Sequence, residues 1–206
     1  MESAITDLVR AELARSAALL HAVGQDAAIH ATLAAAALAT ADALKAGRKL
    51  LIAGNGGSAA DAQHLAAEFV SRLCQDRPAM RALALTTDTS ALTAIGNDYG
   101  YECVFARQLE AVALPGDAFM AISTSGNSPN ILRALQAGRQ MDLITIGLTG
   151  KSGGKMALLC EHCIRVPSDV TMHIQEAHLA LEHIFCMIAE RAYFGAERFS
   201  PPSGAT

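Results

Sequence analysis

The sequence predicts an α/β domain: a doubly wound, flavodoxin-like sheet of five parallel strands with helices on both faces and an N-terminal helical arm. Three observations predict this class. Five short apolar runs alternate with segments of helical periodicity, two of these runs end in loops rich in glycine or serine, and 206 residues are enough to bury a full core. We therefore expect one domain with an arm (residues 1–46), an α/β core (residues 47–195) and a tail (residues 196–206).

The arm is expected to contain two helices. Apolar side chains recur at helical spacing through residues 2–24, and an alanine-rich helix is predicted from about Ala27 to Lys45. A last helix is predicted from about Met172 to Tyr193. The predicted strands are the runs Lys49–Ala53, Met80–Leu85, Asp117–Ile122, Leu143–Leu148 and Cys163–Val166. In such folds, ligands bind beyond the carboxyl ends of the strands.

The composition argues against several classes of protein. The formal charge is −4 and lysine and arginine form no clusters, so no nucleic-acid partner is expected. The apolar stretches are shorter than the ~20 residues that cross a membrane, and the N-terminus does not resemble a secretory signal. Five cysteines, an odd number without a framework spacing, are typical of a reducing compartment. We expect a soluble, cytoplasmic protein with no membrane partner.

A glycine-rich turn follows the first predicted strand and leads directly into a helical pattern. The turn, Gly54–Gly57, has the strand–loop–helix arrangement that presents backbone N–H groups to an anion. Two structural interpretations stay open: the glycines could only permit a tight turn, and Ser58 with Asp61 matches a capping box. One turn further along, His64 and Glu68 are four residues apart and project from one face of the helix. This spacing suits a metal site but also occurs on solvated faces.

A second loop, Ser123–Pro129, again follows a predicted strand and opens a helix. Ser128 is a natural N-cap with Pro129 at the first helical position. Capping leaves the hydroxyl groups of Ser123, Thr124 and Ser125 unexplained, and hydroxyls beside a helix N-terminus are donors for a phosphate. Two such loops in one domain predict a phosphate or sugar-phosphate site.

Two further patterns are judged to be without function. The segment Gly147–Ser152 ends like a nucleotide-binding P-loop, but Thr145 stands where that motif requires its first glycine, so ATP binding is rejected. Cys160 and Cys163 form a C-x-x-C pair without the second pair that a zinc ribbon needs.

The last predicted helix carries five polar groups within nine otherwise apolar residues, which predicts that some of them line a cavity or a subunit contact. They are Gln175, Glu176, His178, Glu182 and His183. Gln175 and His183 are about 12 Å apart along a straight helix and about 80° apart around it. Both can reach one ion only if their side chains extend toward each other, if the helix is irregular, or if neighbouring subunits share the site.

These motifs resemble the phosphoheptose isomerases of the sugar-isomerase (SIS) domain superfamily. The matching stretches are Gly54–Glu68, Leu85–Gly100, Ser123–Ser128 and Ile174–His183, in family order. The resemblance implies a cytoplasmic homotetramer with active sites near subunit interfaces. It also implies interconversion of sedoheptulose 7-phosphate and D-glycero-D-manno-heptose 7-phosphate, the entry step of heptose synthesis for lipopolysaccharide core or other surface glycans.

The resemblance also implies site residues. The implied substrate-binding positions are Asn55, Gly56, Gly57, Ser58, Glu68, Arg72, Asn97, Asp98, Ser123, Thr124, Ser125, Ser128 and Gln175. The implied ligands of one zinc ion per subunit are His64, Glu68, Gln175 and His183. His173 stands where the family usually has arginine, which puts any contact made by that arginine in doubt here.

Ketose–aldose isomerisation shifts a proton between adjacent carbons through an enediol, and it needs a base near the carbon and an acid near the oxygens. We hypothesise that Glu68 removes the proton from C1 and that His183 handles the oxygen-bound proton or ring opening. Two alternatives stay open. One is a non-catalytic SIS-domain adaptor that binds the bacterial replication initiator, a class that lacks the Glu and His found here at Glu68 and His183. The other is a sugar-phosphate sensor.

Overall fold

Five short apolar segments form one parallel sheet in the computed structural model, which describes residues 2–195 and the side chains of residues 4–195. The strands are β1 (Leu50–Gly54), β2 (Ala82–Ala84), β3 (Ala118–Ile122), β4 (Ile144–Thr149) and β5 (His162–Arg165). Their spatial order is β2-β1-β3-β4-β5, with every neighbouring pair parallel. This is the flavodoxin-like order, so the predicted fold class is confirmed.

Seven α-helices surround the sheet within the described part of the chain. They are α1 (Glu2–Gln25), α2 (Ala27–Lys45), α3 (Gly57–Val70), α4 (Thr89–Tyr99), α5 (Val104–Val112), α6 (Pro129–Gln140) and α7 (Thr171–Phe194). The two helices of the arm and the last helix lie within two residues of their predicted bounds. The predicted tail, residues 196–206, lies outside the described residues.

The strands bury both faces because alternate side chains point to opposite sides of a sheet. On β1, Leu50 and Ile52 join a core cluster with α2, α3 and α7, whose centre includes Phe69 and Phe185. The neighbouring Leu51 joins a second cluster with α5 and α6 on the other face. Both faces are therefore covered, which explains why the strands are apolar throughout rather than alternating.

Helix α2 alone among the described helices has the length and apolar composition that could cross a membrane. The sequence predicts no such helix, because its apolar stretches are shorter than the ~20 residues that cross a membrane. Its residues Leu33, Ala36 and Ala37 are buried in the core cluster that contains β1 and α7. One face of this helix therefore packs into the core.

A buried arginine ties the end of α3 to α7. The guanidinium group of Arg77 donates to the carbonyl oxygens of Glu68 (2.7 Å), Phe69 (2.7 Å) and Ser71 (3.2 Å). Its Nε also pairs with a carboxylate oxygen of Glu190 at 3.0 Å, and both side chains are at most 4% exposed. The arginine therefore satisfies the last carbonyl groups of α3, which have no partner within the helix.

The predicted capping box at the start of α3 is wrong. The helix begins at Gly57, its N-cap is Gly56 at φ 58°, and no side chain caps it. Ser58 is the second residue of the helix and is buried. The positive φ of Gly56 turns the chain into the helix two residues earlier than a Ser58 cap would require.

Candidate active site

The two predicted loops meet at the carboxyl edge of the sheet. A cavity of about 230 Å³ opens between the N-termini of α3 and α6, where β1 and β3 end. It is lined by Asn55, Gly56, Gly57, Ser58, Ile122, Ser123, Thr124, Ser128, Thr171 and Gln175. The structure thus brings together eight of the predicted substrate-binding residues. Thr171 joins them from the start of α7.

Glycine is required where the first loop packs most closely. A Cβ on Gly54 would overlap the backbone of Ser58, and one on Gly57 would overlap the side-chain amide of Gln175. The amide of Gln175 therefore lies directly against the backbone that starts α3. The backbone N–H groups at the start of α3 lie at the end of the helix that meets the cavity, and the helix dipole favours an anion there.

The second loop presents its hydroxyl groups in a cluster. Ser128 is the N-cap of α6 and Pro129 is its first residue, as predicted. Its side chain does not cap the helix; instead, the Oγ atoms of Ser123 and Ser128 lie 3.0 Å apart in a hydrogen bond. The two hydroxyl groups thus order one another beside the N-terminus of α6, where Pro129 has no backbone N–H and the N–H of Ile131 is bound to Oδ1 of Asn130.

A second cavity of about 280 Å³ adjoins this loop, since Thr124 and Thr171 line both. Its wall also includes Ser125, Lys151 and Asp169. Lys151 and Asp169 were not predicted. The sequence does carry a signal for Lys151, because its segment follows β4 at the same carboxyl edge, although the segment itself resembles only an incomplete nucleotide-binding motif.

His64, Glu68 and His183 form a cluster in which one ligand atom of each residue lies within 4.8 Å of the others. The Nε2 atoms of His64 and His183 are 2.8 Å apart, and the Nε2 atom of His64 is 3.7 Å from a carboxylate oxygen of Glu68. Two imidazoles and a carboxylate are a common donor set for zinc. The donors present therefore fit the metal that the family resemblance implies.

Two buried titratable side chains, those of Glu182 and His178, also lie on α7. Glu182 is fully buried, and burial with the nearby Asp61 carboxylate raises its pKa to about 8. Burial also raises the pKa of Asp61, against the opposing effect of His64. His178 is buried too, and desolvation lowers its pKa to about 4, although a contact of its Nε2 with the Thr149 carbonyl (3.3 Å) opposes the shift. At neutral pH both Glu182 and His178 are therefore largely uncharged.

Gln175 and His183 lie at different parts of the site. Gln175 contacts Gly57 at the start of α3, whereas His183 contacts His64, seven residues or about 10 Å further along that helix. The parallel course of α3 and α7 explains both contacts. The site is therefore elongated, with hydroxyl groups and helix starts at one end and the imidazole–carboxylate cluster at the other.

Four predicted substrate-binding residues do not line either cavity: Glu68, which lies in the imidazole–carboxylate cluster, and Arg72, Asn97 and Asp98. Arg72 is exposed beyond the end of α3, and Asn97 and Asp98 are exposed at the end of α4, where Asn97 donates to Asp98 at 2.8 Å. His173, the residue that replaces the family arginine, instead contacts the arm. Its ring nitrogens lie 3.2 Å from Glu12 and from Ser16 of α1.

Comparisons with known proteins agree with this geometry. Residues 13–150 match the family model described as "SIS domain". The chain is 60% identical over 160 residues to "Phosphoheptose isomerase 2" of Campylobacter jejuni, covering 78% of this chain and 80% of the relative. It is 54% identical over 192 residues to "Phosphoheptose isomerase" of a Bradyrhizobium strain, covering 93% and 97%.

A solved structure gives the same result. The phosphoheptose isomerase from Neisseria gonorrhoeae superposes with a TM-score of 0.83 at 41% identity. The alignment covers 90% of this chain and 98% of that one. Fold and sequence therefore agree over nearly the whole described domain.

Proposed function

The chain belongs to the phosphoheptose isomerases of the SIS-domain family, and from that premise we propose how its residues act on sedoheptulose 7-phosphate. It is an isomerase. The observation that carries the proposal is the elongated site, which places a phosphate-type cradle at one end of α3 and a base with two imidazoles further along it. A seven-carbon sugar phosphate has the same polarity, with an anion at one end and the reacting carbons at the other.

The phosphate is held by Ser123, Thr124, Ser125 and Ser128 together with the N-terminus of α6. Hydroxyl and backbone N–H donors bind phosphate oxygens without requiring a cation. Lys151, which lines the adjoining cavity, adds a positive charge on the same side. The Asn55–Ser58 loop and Gln175 contact the sugar between the two ends.

Glu68 acts as the base and His183 as the partner that moves the oxygen-bound proton. A carboxylate near C1 can take the proton that moves to the neighbouring carbon, and an imidazole can serve the hydroxyl and carbonyl oxygens of the enediol. Glu68 is only 19% exposed at its side chain, so its carboxylate is partly shielded from water. His64 fixes the position of His183 through the contact between their ring nitrogens.

Zinc would be held by His64, Glu68 and His183, with Gln175 as a further ligand only if its side chain leaves Gly57. A bound zinc ion polarises a carbonyl oxygen and stabilises negative charge that develops on it. A carboxylate bound to a metal is a weaker base. Glu68 therefore serves as ligand and as base in different states of the site.

The assembly is a homotetramer with the active sites near subunit interfaces. Ile5, Leu8, Val9 and Leu13 of α1 are 54–66% exposed, an apolar stripe that suits a contact between copies. Asn97 and Asp98 do not reach the cavities of their own chain, which is consistent with a site completed by a neighbour. We place the reaction in the cytoplasm, as the first step of heptose synthesis for lipopolysaccharide core or other surface glycans.

The proposal is tested by turnover of sedoheptulose 7-phosphate with the wild type, Glu68→Gln and the control Glu110→Gln, an exposed residue on α5. We expect kcat to fall by about 10²- to 10⁴-fold in Glu68→Gln, because the neutral amide cannot accept the proton, and to be unchanged in Glu110→Gln. A fully active Glu68→Gln would remove Glu68 from the mechanism.

The same assay with metal-stripped protein decides the part played by zinc. Turnover that returns only on adding zinc supports a metal site at His64, Glu68 and His183. Turnover that does not change on adding zinc leaves the isomerase assignment unchanged, with Glu68 and His183 acting as an acid–base pair without a metal. Binding of sedoheptulose 7-phosphate without turnover in either state would favour the sensor alternative.

A further inference from the structure

A reciprocal pair of side-chain amides joins the two loops of the cavity. The Nδ2 atom of Asn55 donates to Oδ1 of Asn130 at 2.9 Å, and the Nδ2 atom of Asn130 donates to Oδ1 of Asn55 at 2.8 Å. Asn55 lies in the loop after β1, and Asn130 is the second residue of α6, 75 positions later in the chain. Asn130 is only 2% exposed, so it does not face a ligand itself.

A backbone donor determines which side-chain atom of each amide is the oxygen and which is the nitrogen. The backbone N–H of Ile131 donates to Oδ1 of Asn130 at 2.9 Å. A backbone N–H can only donate, so the atom that it meets must be the amide oxygen of Asn130. The atom of Asn55 that faces this oxygen must then be its nitrogen, because two oxygens would repel each other.

Tyr101 completes the arrangement from the other side. Its hydroxyl group donates to Oδ1 of Asn55 at 3.1 Å. The oxygen of Asn55 therefore accepts from both Asn130 and Tyr101, which uses both of its lone pairs. Of the two N–H groups of Asn55, one is bound to Asn130, and no acceptor for the second is found among the described residues. The cavity wall at Asn55 therefore offers a donor and no acceptor.

We propose that Asn130 and Tyr101 are positioning residues that hold the Asn55 amide as a hydrogen-bond donor toward the cavity. The inference rests on the proposed function, and it adds the polarity of one contact: Asn55 recognises an oxygen of the sugar phosphate that accepts a hydrogen bond. A carbonyl or enediolate oxygen meets this requirement, and a fixed donor stabilises negative charge on such an oxygen without reorganising. Neither Asn130 nor Tyr101 lines the cavity, so both act through Asn55.

The test is a double-mutant cycle with Tyr101→Phe and Asn55→Ala. Tyr101 is 62% exposed, so its variant keeps the fold, and Tyr99→Phe is the matched control because its ring is also exposed. We expect Tyr101→Phe to lower kcat/KM about 5-fold, the equivalent of one hydrogen bond of about 1 kcal/mol. In the Asn55→Ala background the same change should have less than about a 2-fold effect, because the residue through which Tyr101 acts is absent.

Asn130→Asp gives a second cycle, since its carboxylate still accepts from Ile131 but cannot donate to Asn55. We expect Asn130→Asp to lower kcat/KM about 50-fold in the wild-type background and much less in the Asn55→Ala background. Melting temperatures show whether each variant is folded. The proposal is overturned if Tyr101→Phe has no effect in the wild type or the same effect in both backgrounds. If Tyr101 or Asn130 had only a structural role, its substitution would lower activity equally in the wild-type and the Asn55→Ala backgrounds.

The polarity is tested separately by comparing Asn55→Asp with Asn55→Ala. The dissociation constant for sedoheptulose 7-phosphate should be larger in Asn55→Asp, because the donor is replaced by an acceptor that repels the ligand oxygen. Equal or tighter binding by Asn55→Asp would contradict the proposed donor. Dissociation constants also separate the two claims: a wild type that binds without turnover contradicts the isomerase, whereas turnover without coupling to Asn55 contradicts only this inference.

Discussion

At the scale of single residues, the site depends on glycines whose backbone lies so close to a neighbouring group that a Cβ would not fit. Gly57 is the clearest example, because the amide of Gln175 lies against its backbone. The backbone of Gly57 is helical and does not have a positive φ, so the need for glycine there is a need for space. Gln175 can therefore reach the cavity only while position 57 lacks a side chain.

Gly57→Ala should lower kcat/KM for sedoheptulose 7-phosphate by at least about 10-fold without lowering the melting temperature. The added methyl group displaces the flexible end of Gln175, which costs little stability, and alanine favours the helix by up to about 1 kcal/mol. Steady-state kinetics and thermal unfolding check the two parts. The control Gly24→Ala, which meets nothing within 4 Å, should leave kinetics unchanged. An unaffected Gly57→Ala enzyme would show that the position of Gln175 is unimportant.

At the scale of elements, α3 connects both ends of the site, because it begins at the cavity and carries His64 and Glu68. Its far end is held by Arg77, which binds carbonyl groups of α3 and the carboxylate of Glu190 on α7. Both partners of this ion pair are nearly fully buried. Removing one would leave the other charged and without a partner in the interior.

Arg77→Ala should lower the free energy of unfolding by about 3–5 kcal/mol, as expected for breaking a buried ion pair. Arg10→Ala is the control, since its pair with Asp7 is at least 62% exposed at both side chains, and we expect at most about 0.5 kcal/mol from it. Denaturant titration measures both. A loss of less than about 1 kcal/mol in Arg77→Ala would mean that the pair does not hold α3.

The elements also show what could be predicted from the sequence. Strands, helices and the two loops were predicted because apolar runs, periodicity and glycine clusters are local signals. The Asn55–Asn130 pair and the Arg77–Glu190 pair join residues 75 and 113 positions apart, and no local pattern indicates them. The predicted capping box is wrong because Gly56, with its positive φ, begins the helix before Ser58. His64 and His183 lie 119 positions apart, and their contact was expected only through the family resemblance.

At the scale of the whole molecule, buried titratable groups make stability depend on pH. His178 has a pKa of about 4 when folded, against a usual value of about 6.5. Between these values the unfolded chain binds a proton that the folded chain does not, so stability is lost as the pH falls from 6.5 toward 4. Glu182, with its pKa raised to about 8, acts in the opposite direction: its stability contribution is lost as the pH rises from about 4.5 to 8.

His178→Gln isolates the first of these effects, because the amide can still donate to the carbonyl of Thr149 but does not titrate. We expect the wild type to lose about 3 kcal/mol relative to the variant between pH 6.5 and pH 4, following the shift of its pKa. The free energy of unfolding measured across this range checks it, with the exposed His21→Gln as control. A wild type and variant with parallel pH profiles would contradict the neutral, buried His178.

The account as a whole claims that Glu68 moves a proton between adjacent carbons of a sugar phosphate held by the two loops. The most direct measurement is isomerisation of sedoheptulose 7-phosphate in deuterium oxide, followed by NMR of the product. We predict that the wild type releases product carrying deuterium at the carbon that receives the proton, and that Glu68→Gln forms product and exchanges the carbon-bound proton at least about 10²-fold more slowly. Product formation and exchange by Glu68→Gln at the wild-type rate would contradict the account.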